Sequence, residues 1–142
     1  MRTGTQDTCG AILTLNFKDG DGDIGRLNPT DTMPPYNSQS PYRYDLTMVF
    51  LGLAKGDNQF RRYYDPNQKD SFQLGFTIKS LPLPVGANKA ITGQILTMIP
   101  FPFYPIGLQP AINFTAIRFD VFIYDRNFHK SNVVSTGPIP IF

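Results

Sequence analysis

The sequence has no tryptophan, one cysteine (Cys9) and one histidine (His129) in 142 residues, and each shortage excludes a class of site. A lone cysteine rules out an internal disulfide framework. A lone histidine rules out a His-rich zinc centre, and a mixed set would need Cys9 to join His129. Charge is sparse too, at 17% of residues with a net of +2, against about a quarter in ordinary soluble domains. Nucleic-acid recognition wants a clustered basic face, which the adjacent Arg61 and Arg62 do not make. No apolar run approaches the ~20 residues of a membrane-crossing helix. The opening "MRTGTQDTCG" lacks the apolar segment of a signal peptide.

Aromatics and prolines are plentiful, with Phe 12, Tyr 7 and Pro 13. Two-residue alternation is the recurring pattern, and helical periodicity is nearly absent. "AILTLNF" places Ala11, Leu13, Leu15 and Phe17 on one face. "YRYDLTMVFLGLA" (42–54) alternates through Leu46, Met48 and Phe50, and "KGDN" then reads as a hairpin turn into "QFRRYYD". Further strands are expected in "SFQLGFTI" (71–78), "AITGQILTMI" (90–99) and "INFTAIRFDVFIYD" (112–125), the last with Ile117, Phe119, Val121 and Ile123 in step. "NVVS" and "PIPIF" close the chain, the prolines confining the latter to an edge. About seven turn-punctuated strands predict an all-β fold, an Ig-like antiparallel β-sandwich. The expected organisation is a tail over residues 1–10 and a single sandwich domain over 11–142.

Two long loops interrupt the rhythm. The first runs from Asp19 to Pro41, long enough to expect function or disorder. The second, "PFPFYPIGLQP" (100–110), offers Phe101, Phe103, Tyr104 and Ile106 either as a partner-binding tip or as a flap over the open end of the sandwich.

The first loop opens with "DGDGDIG". Asp19, Asp21 and Asp23 bring three like charges together, with glycines between them that let the backbone curl. Such carboxylates suit calcium, which takes roughly 6–8 oxygen ligands; magnesium, which keeps much of its water, suits them less. An EF-hand would continue with Gly and Glu where this chain has Ile24 and Thr30, and would follow a helix. The rest of the shell must therefore come from elsewhere. Asp125, at the end of the longest expected strand, is the predicted fourth ligand, with Asn127, Asn132 and backbone carbonyls as helpers. The alternative is a hydrated acidic turn that holds no ion.

Other constellations are thinner. His129 with Ser131 or Ser135 and an aspartate would make a formal triad, but no nucleophile elbow marks it. Carboxylates gathered in one loop do not flank a glycosidic bond from two sides. Tyr36, Tyr42, Tyr63, Tyr64 and Tyr104 could stack on sugars, although tryptophan is missing. "NFT" (113–115) matches a glycosylation sequon inside an expected strand.

"LTLNFKDGDGDIG", "ANKAITGQI" and "IRFDVFIYDRNFHKSN", in that order, resemble a group of uncharacterised secreted lipoproteins of Bacteroidetes bacteria. In that group a strand enters an F-x-D-G-D-G-D-[IL]-G turn, and a late strand ends in D-R-x-x-x-x-S-N. The resemblance implies an exported domain, tethered as a lipoprotein to the outer membrane or cell surface, or held in the periplasm. The anchor would lie upstream, and Met1 would then be an added start on a mature domain. Cys9 sits too close to the first strand to serve as the lipidated residue. The resemblance also marks "DTM" as a D-[ST]-aliphatic O-glycosylation site, with Thr32 as acceptor.

The leading expectation is a non-enzymatic envelope domain with structural calcium on Asp19, Asp21, Asp23 and Asp125, acting as an interaction subunit with a protein partner. A glycan-binding module is the second reading, and a calcium-dependent hydrolase the third.

Overall fold

In a computed structural model, residues 10–66, 69–80, 90–100 and 114–140 are described. They are all-β, antiparallel in every ladder and free of helix, an arrangement consistent with a β-sandwich. The strands are β1 (Gly10–Asp19), β2 (Leu46–Ala54), β3 (Arg61–Arg62), β4 (Tyr64–Asp65), β5 (Asp70–Ser71), β6 (Gln73–Phe76), β7 (Ile91–Pro100), β8 (Phe114–Ile123), β9 (Val134–Ser135) and β10 (Ile139–Pro140). "QFRRYYD", read as one returning strand, is instead two short pieces, β3 and β4.

The chain forms two compact units, Met1–Gly22 with Leu83–Tyr104, and Asp23–Pro82 with Pro105–Phe142. The first holds an antiparallel ribbon of β1 and β7 whose register runs unbroken from Gly10↔Pro100 to Asp19↔Ile91. Alternation sorts its side chains: Leu13, Leu15 and Phe17 are half-buried, while Ile12, Thr14, Asn16 and Lys18 are exposed. Phe17 faces Gly93, and a Cβ there would stand only 3.1 Å from the Phe17 ring.

The second unit is built on a six-stranded sheet in the order β10-β8-β2-β3, with β6 also on β2 and β9 also on β8. The β2–β8 register pairs Leu46 with Ile123, Met48 with Val121 and Phe50 with Phe119, all buried on one face. The same alternation visible in each strand alone thus becomes one apolar layer when the strands pair. Phe50 lies at its centre, with the rings of Phe72, Phe114, Phe119 and Tyr63 at centroid distances of 5.4–6.2 Å. Glycine is required where rings cross strands: a Cβ at Gly75 would overlap the Tyr44 ring. β10, with Pro140, takes an end position in the sheet, as proline's missing donor dictates.

The connection from residue 24 to 45 carries no named strand, yet it is organised around one buried side chain. Arg26, 4% exposed, donates through Nε to Asp45 Oδ1 at 2.8 Å, through Nη1 to Asp31 O at 3.0 Å, and through Nη2 to Tyr42 O and Arg43 O at 3.1 and 2.7 Å. Its guanidinium also lies 4.1 Å from the Tyr36 ring centroid. A planar fork with five donors can gather carbonyls from several points of a loop at once, so this segment is ordered without being regular.

Candidate metal centre

The acidic turn begins at Asp19, the last residue of β1, and runs on without a break through Asp23. Asp19 is half-buried, Asp21 exposed and Asp23 buried, and one carboxylate oxygen from each lies within 4.8 Å of the others. Gly22 adopts φ +69°, a left-handed conformation that glycine enters without steric cost. The Asp21 N–H points back to Asp19 Oδ1 at 3.4 Å.

The remainder of the motif faces inward. Ile24 is 3% exposed and forms an antiparallel bridge with Asp125. Gly25, at φ +85°, lets the chain lie against the backbone of Lys79, where a Cβ would come within 2.8 Å. There Arg26 N donates to Ile78 O at 2.7 Å and Ser80 N to Arg26 O at 3.0 Å.

Asp23 is the best-defined of the three carboxylates. Its Oδ2 accepts from Asn127 Nδ2 at 2.7 Å, and its carbonyl accepts from Arg126 N at 3.1 Å. Its Oδ1 is buried and has no hydrogen-bond partner. A buried carboxylate oxygen left unmatched is costly. Together with two neighbouring carboxylates, it fits the hard-oxygen demand of calcium, with the three groups able to supply up to about six oxygens if bidentate.

The predicted fourth ligand occupies a different position. The backbone of Asp125 is beside the turn through its bridge to Ile24, but its carboxylate closes its own loop. Oδ1 accepts from His129 N at 2.8 Å, and Oδ2 lies 3.0 Å from His129 Nδ1. Two side chains do reach from this strand end to the turn: Asn127, two residues on, to Asp23, and Arg126, whose Nη1 donates to Gly25 O at 3.1 Å. Asn132 is exposed, and its carbonyl accepts from Ser131 Oγ at 2.8 Å. Thr30, at the twelfth position of the motif, donates its hydroxyl to Asn28 Oδ1 at 2.8 Å.

The hydroxyls of the triad candidates are engaged away from His129. Ser131 Oγ accepts from Ile123 N at 2.9 Å while donating to Asn132 O, and Ser135 Oγ donates to Asp120 Oδ1 at 2.6 Å. Thr32 is exposed beside a turn in which Met33 N donates to Asp31 Oδ1 at 3.0 Å. Among the tyrosines, Tyr64 is 62% exposed, whereas Tyr63 packs against Phe50 and Phe114. Tyr36, Phe128, Tyr42, Tyr124 and Phe122 form a chain of rings with neighbouring centroids 4.5–6.2 Å apart. Burial pushes the Tyr63 and Tyr124 phenols above their ordinary range. Cys9, Phe101, Phe103, Tyr104, Ile106 and Asn113 lie outside the described residues.

Arg26 and Asn127 are the residues that organise this region, and alternation marks neither, because both act from irregular backbone. No known family model, curated protein or solved structure matches the chain.

Proposed function

We propose that this chain is a non-enzymatic, envelope-associated β-domain that binds one structural calcium ion and serves as an interaction subunit of a surface or periplasmic assembly. The single observation that carries the calcium part is the buried, unpartnered Oδ1 of Asp23 within 4.8 Å-scale reach of two further carboxylates. Asp19, Asp21 and Asp23 are the ligands of this reading, with Asn127 holding Asp23 in place from the opposite side. The ion's role would be to cancel the mutual repulsion of the carboxylates and to satisfy the orphan oxygen. The envelope setting rests on the "DGDGDIG" and "DRNFHKSN" motifs and on what their resemblance implies. The exposed Thr32 is compatible with the modification that the same resemblance suggests.

Thermal unfolding, followed by circular dichroism, is the direct test. Calcium should raise the Tm of chelator-treated protein along a saturable curve, because an ion that binds only the folded state stabilises it by mass action. Asp23→Asn should abolish that response, and magnesium should act only at higher concentration. An unchanged Tm across a calcium titration overturns the metal assignment.

A further inference from the structure

The six-stranded sheet has a second face, which carries the charge excluded from the core. Residues paired across strands point to the same side, so the register defines rows. One row runs Gln73, Val49, Asp120, Ser135 across β6, β2, β8 and β9. The next runs Arg62, Leu51, Arg118 across β3, β2 and β8. A cleft of about 170 Å³ opens here, lined by the buried Val49 and Gln73 and by Arg62, Asp120, Phe122 and Lys130.

Its charges are near one another without being joined. Asp120 lies 4.0 Å from both Arg62 Nη2 and Arg118 Nε, too far for a hydrogen bond. Asp70, also on the cleft, is 3.8 Å from Arg43 Nη2. Arg43 Nη2 and Arg118 Nε are both buried with no acceptor, a condition that calls for an explanation. The Lys130 ammonium stands 4.1 Å over the Phe122 ring, a contact that positions a cation at the cleft wall without neutralising it. Arg62 and Lys130 on the cleft, with Arg43 and Arg118 beside its carboxylates, thus stand about Asp70, Asp120 and the buried Asp65, which pairs with Asp70 across β4 and β5, leaving a local excess of one positive charge.

We propose that this cleft binds a polyhydroxylated carboxylate, a single-ring sugar acid. The ligand's carboxylate answers the excess positive charge at Arg62 and Lys130. Asp120 and Asp70 already have guanidinium groups beside them, so each is suited to accept from neutral hydroxyls rather than to face a full ammonium. A bare inorganic anion would offer nothing to these two carboxylates and would be repelled by them. An amino acid would bring a cation into a neighbourhood that already has too many. The small volume limits the bound portion to about one sugar ring. The site uses none of Asp19, Asp21 and Asp23, so its failure and that of the calcium assignment are separable.

The test is a titration of the whole chain with galacturonate, galactose, acetate and glycine, followed by backbone amide chemical shifts. Galacturonate should saturate, moving the amides of Gln73, Asp120 and Lys130. The other three should bind at least about tenfold more weakly, the worth of one charge-assisted hydrogen bond. Asp120→Asn keeps an acceptor for Ser135 but removes the charge, and Lys130→Met keeps an apolar stem on Phe122. Each should weaken galacturonate by about tenfold, with the rest of the spectrum reporting an intact fold. Acetate or glycine matching galacturonate, galactose matching it, no saturation in the millimolar range, or variants that bind like the parent chain would each overturn the proposal.

Discussion

Arg26 and Asp45 form a buried ion pair, Nε to Oδ1 at 2.8 Å, with side chains only 4% and 7% exposed. The other Asp45 oxygen accepts from Ile78 N at 2.8 Å, so this carboxylate has a strong partner on each side. The pair joins the start of the long loop to the residue just before β2. What the loop lacks in regular hydrogen bonding it recovers through one guanidinium.

Replacing Arg26 with methionine should therefore destabilise the chain by about 3–5 kcal/mol, because Asp45 would be left buried with its charge uncompensated. Arg26→Lys should rescue little, since a point charge cannot serve Asp45 and three carbonyls together. The double variant Arg26→Met with Asp45→Asn should recover part of the loss. Urea denaturation followed by circular dichroism measures all three, the chain having no tryptophan to report fluorescence.

Glycine within the acidic motif makes a second test, because two glycines share a conformation and differ in surroundings. Gly25 and Gly56 have φ of +85° and +86°, but a Cβ at Gly25 would meet the Lys79 carbonyl at 2.8 Å, whereas Gly56 faces open space. Both alanine variants bear the left-handed backbone cost of about 1–2 kcal/mol. Gly25→Ala should lose about 1–3 kcal/mol more through steric overlap. Equal losses in urea midpoint would show that the backbone pairing of Arg26 with Ile78 and Ser80 yields easily.

The contrast between strands and loops explains what was legible in the sequence. The apolar layer of Leu46, Met48 and Phe50 against Ile117, Phe119, Val121 and Ile123 follows from a period of two, which is a local property of each strand. The acidic turn was visible because carboxylate spacing over five residues is also local. Arg26 leaves no such local mark, since its four partners lie 5 to 19 residues away along irregular chain, where no periodicity records them. The same reason separates Asp125 from Asn127. Charge alone suggested the former as the far partner of the turn, but the tight loop to His129 turns that carboxylate toward its own backbone. The fragmentation of "QFRRYYD" into β3 and β4 has a comparable cause, with Phe72 N donating to Tyr63 O at 2.7 Å between them.

Asn127→Ala should report on the acidic turn without touching a proposed ligand. Its amide donates to Asp23 Oδ2 at 2.7 Å, and the other Asp23 oxygen already has no partner. Removing it should cost about 1–3 kcal/mol in calcium-free protein. The loss should shrink when calcium is saturating, because the ion then satisfies the carboxylate. Chemical denaturation with and without calcium checks this, and a loss independent of calcium would separate Asn127 from the ion.

Alkaline pH supplies the last test. Burial favours the neutral phenol at Tyr63 and Tyr124, with neighbouring Tyr42 adding to the effect at the latter, so both folded values lie above the ordinary 10.0. Between the unfolded and folded values the native chain holds more protons than the unfolded one. The stability linked to these residues is therefore complete below about pH 10 and declines as pH rises through the folded values. Tyr63→Phe and Tyr124→Phe should each flatten that decline, and together they should flatten it further. Urea midpoints measured from about pH 9 to 11 read the slope. An unchanged slope in the double variant would assign the alkaline loss to other groups.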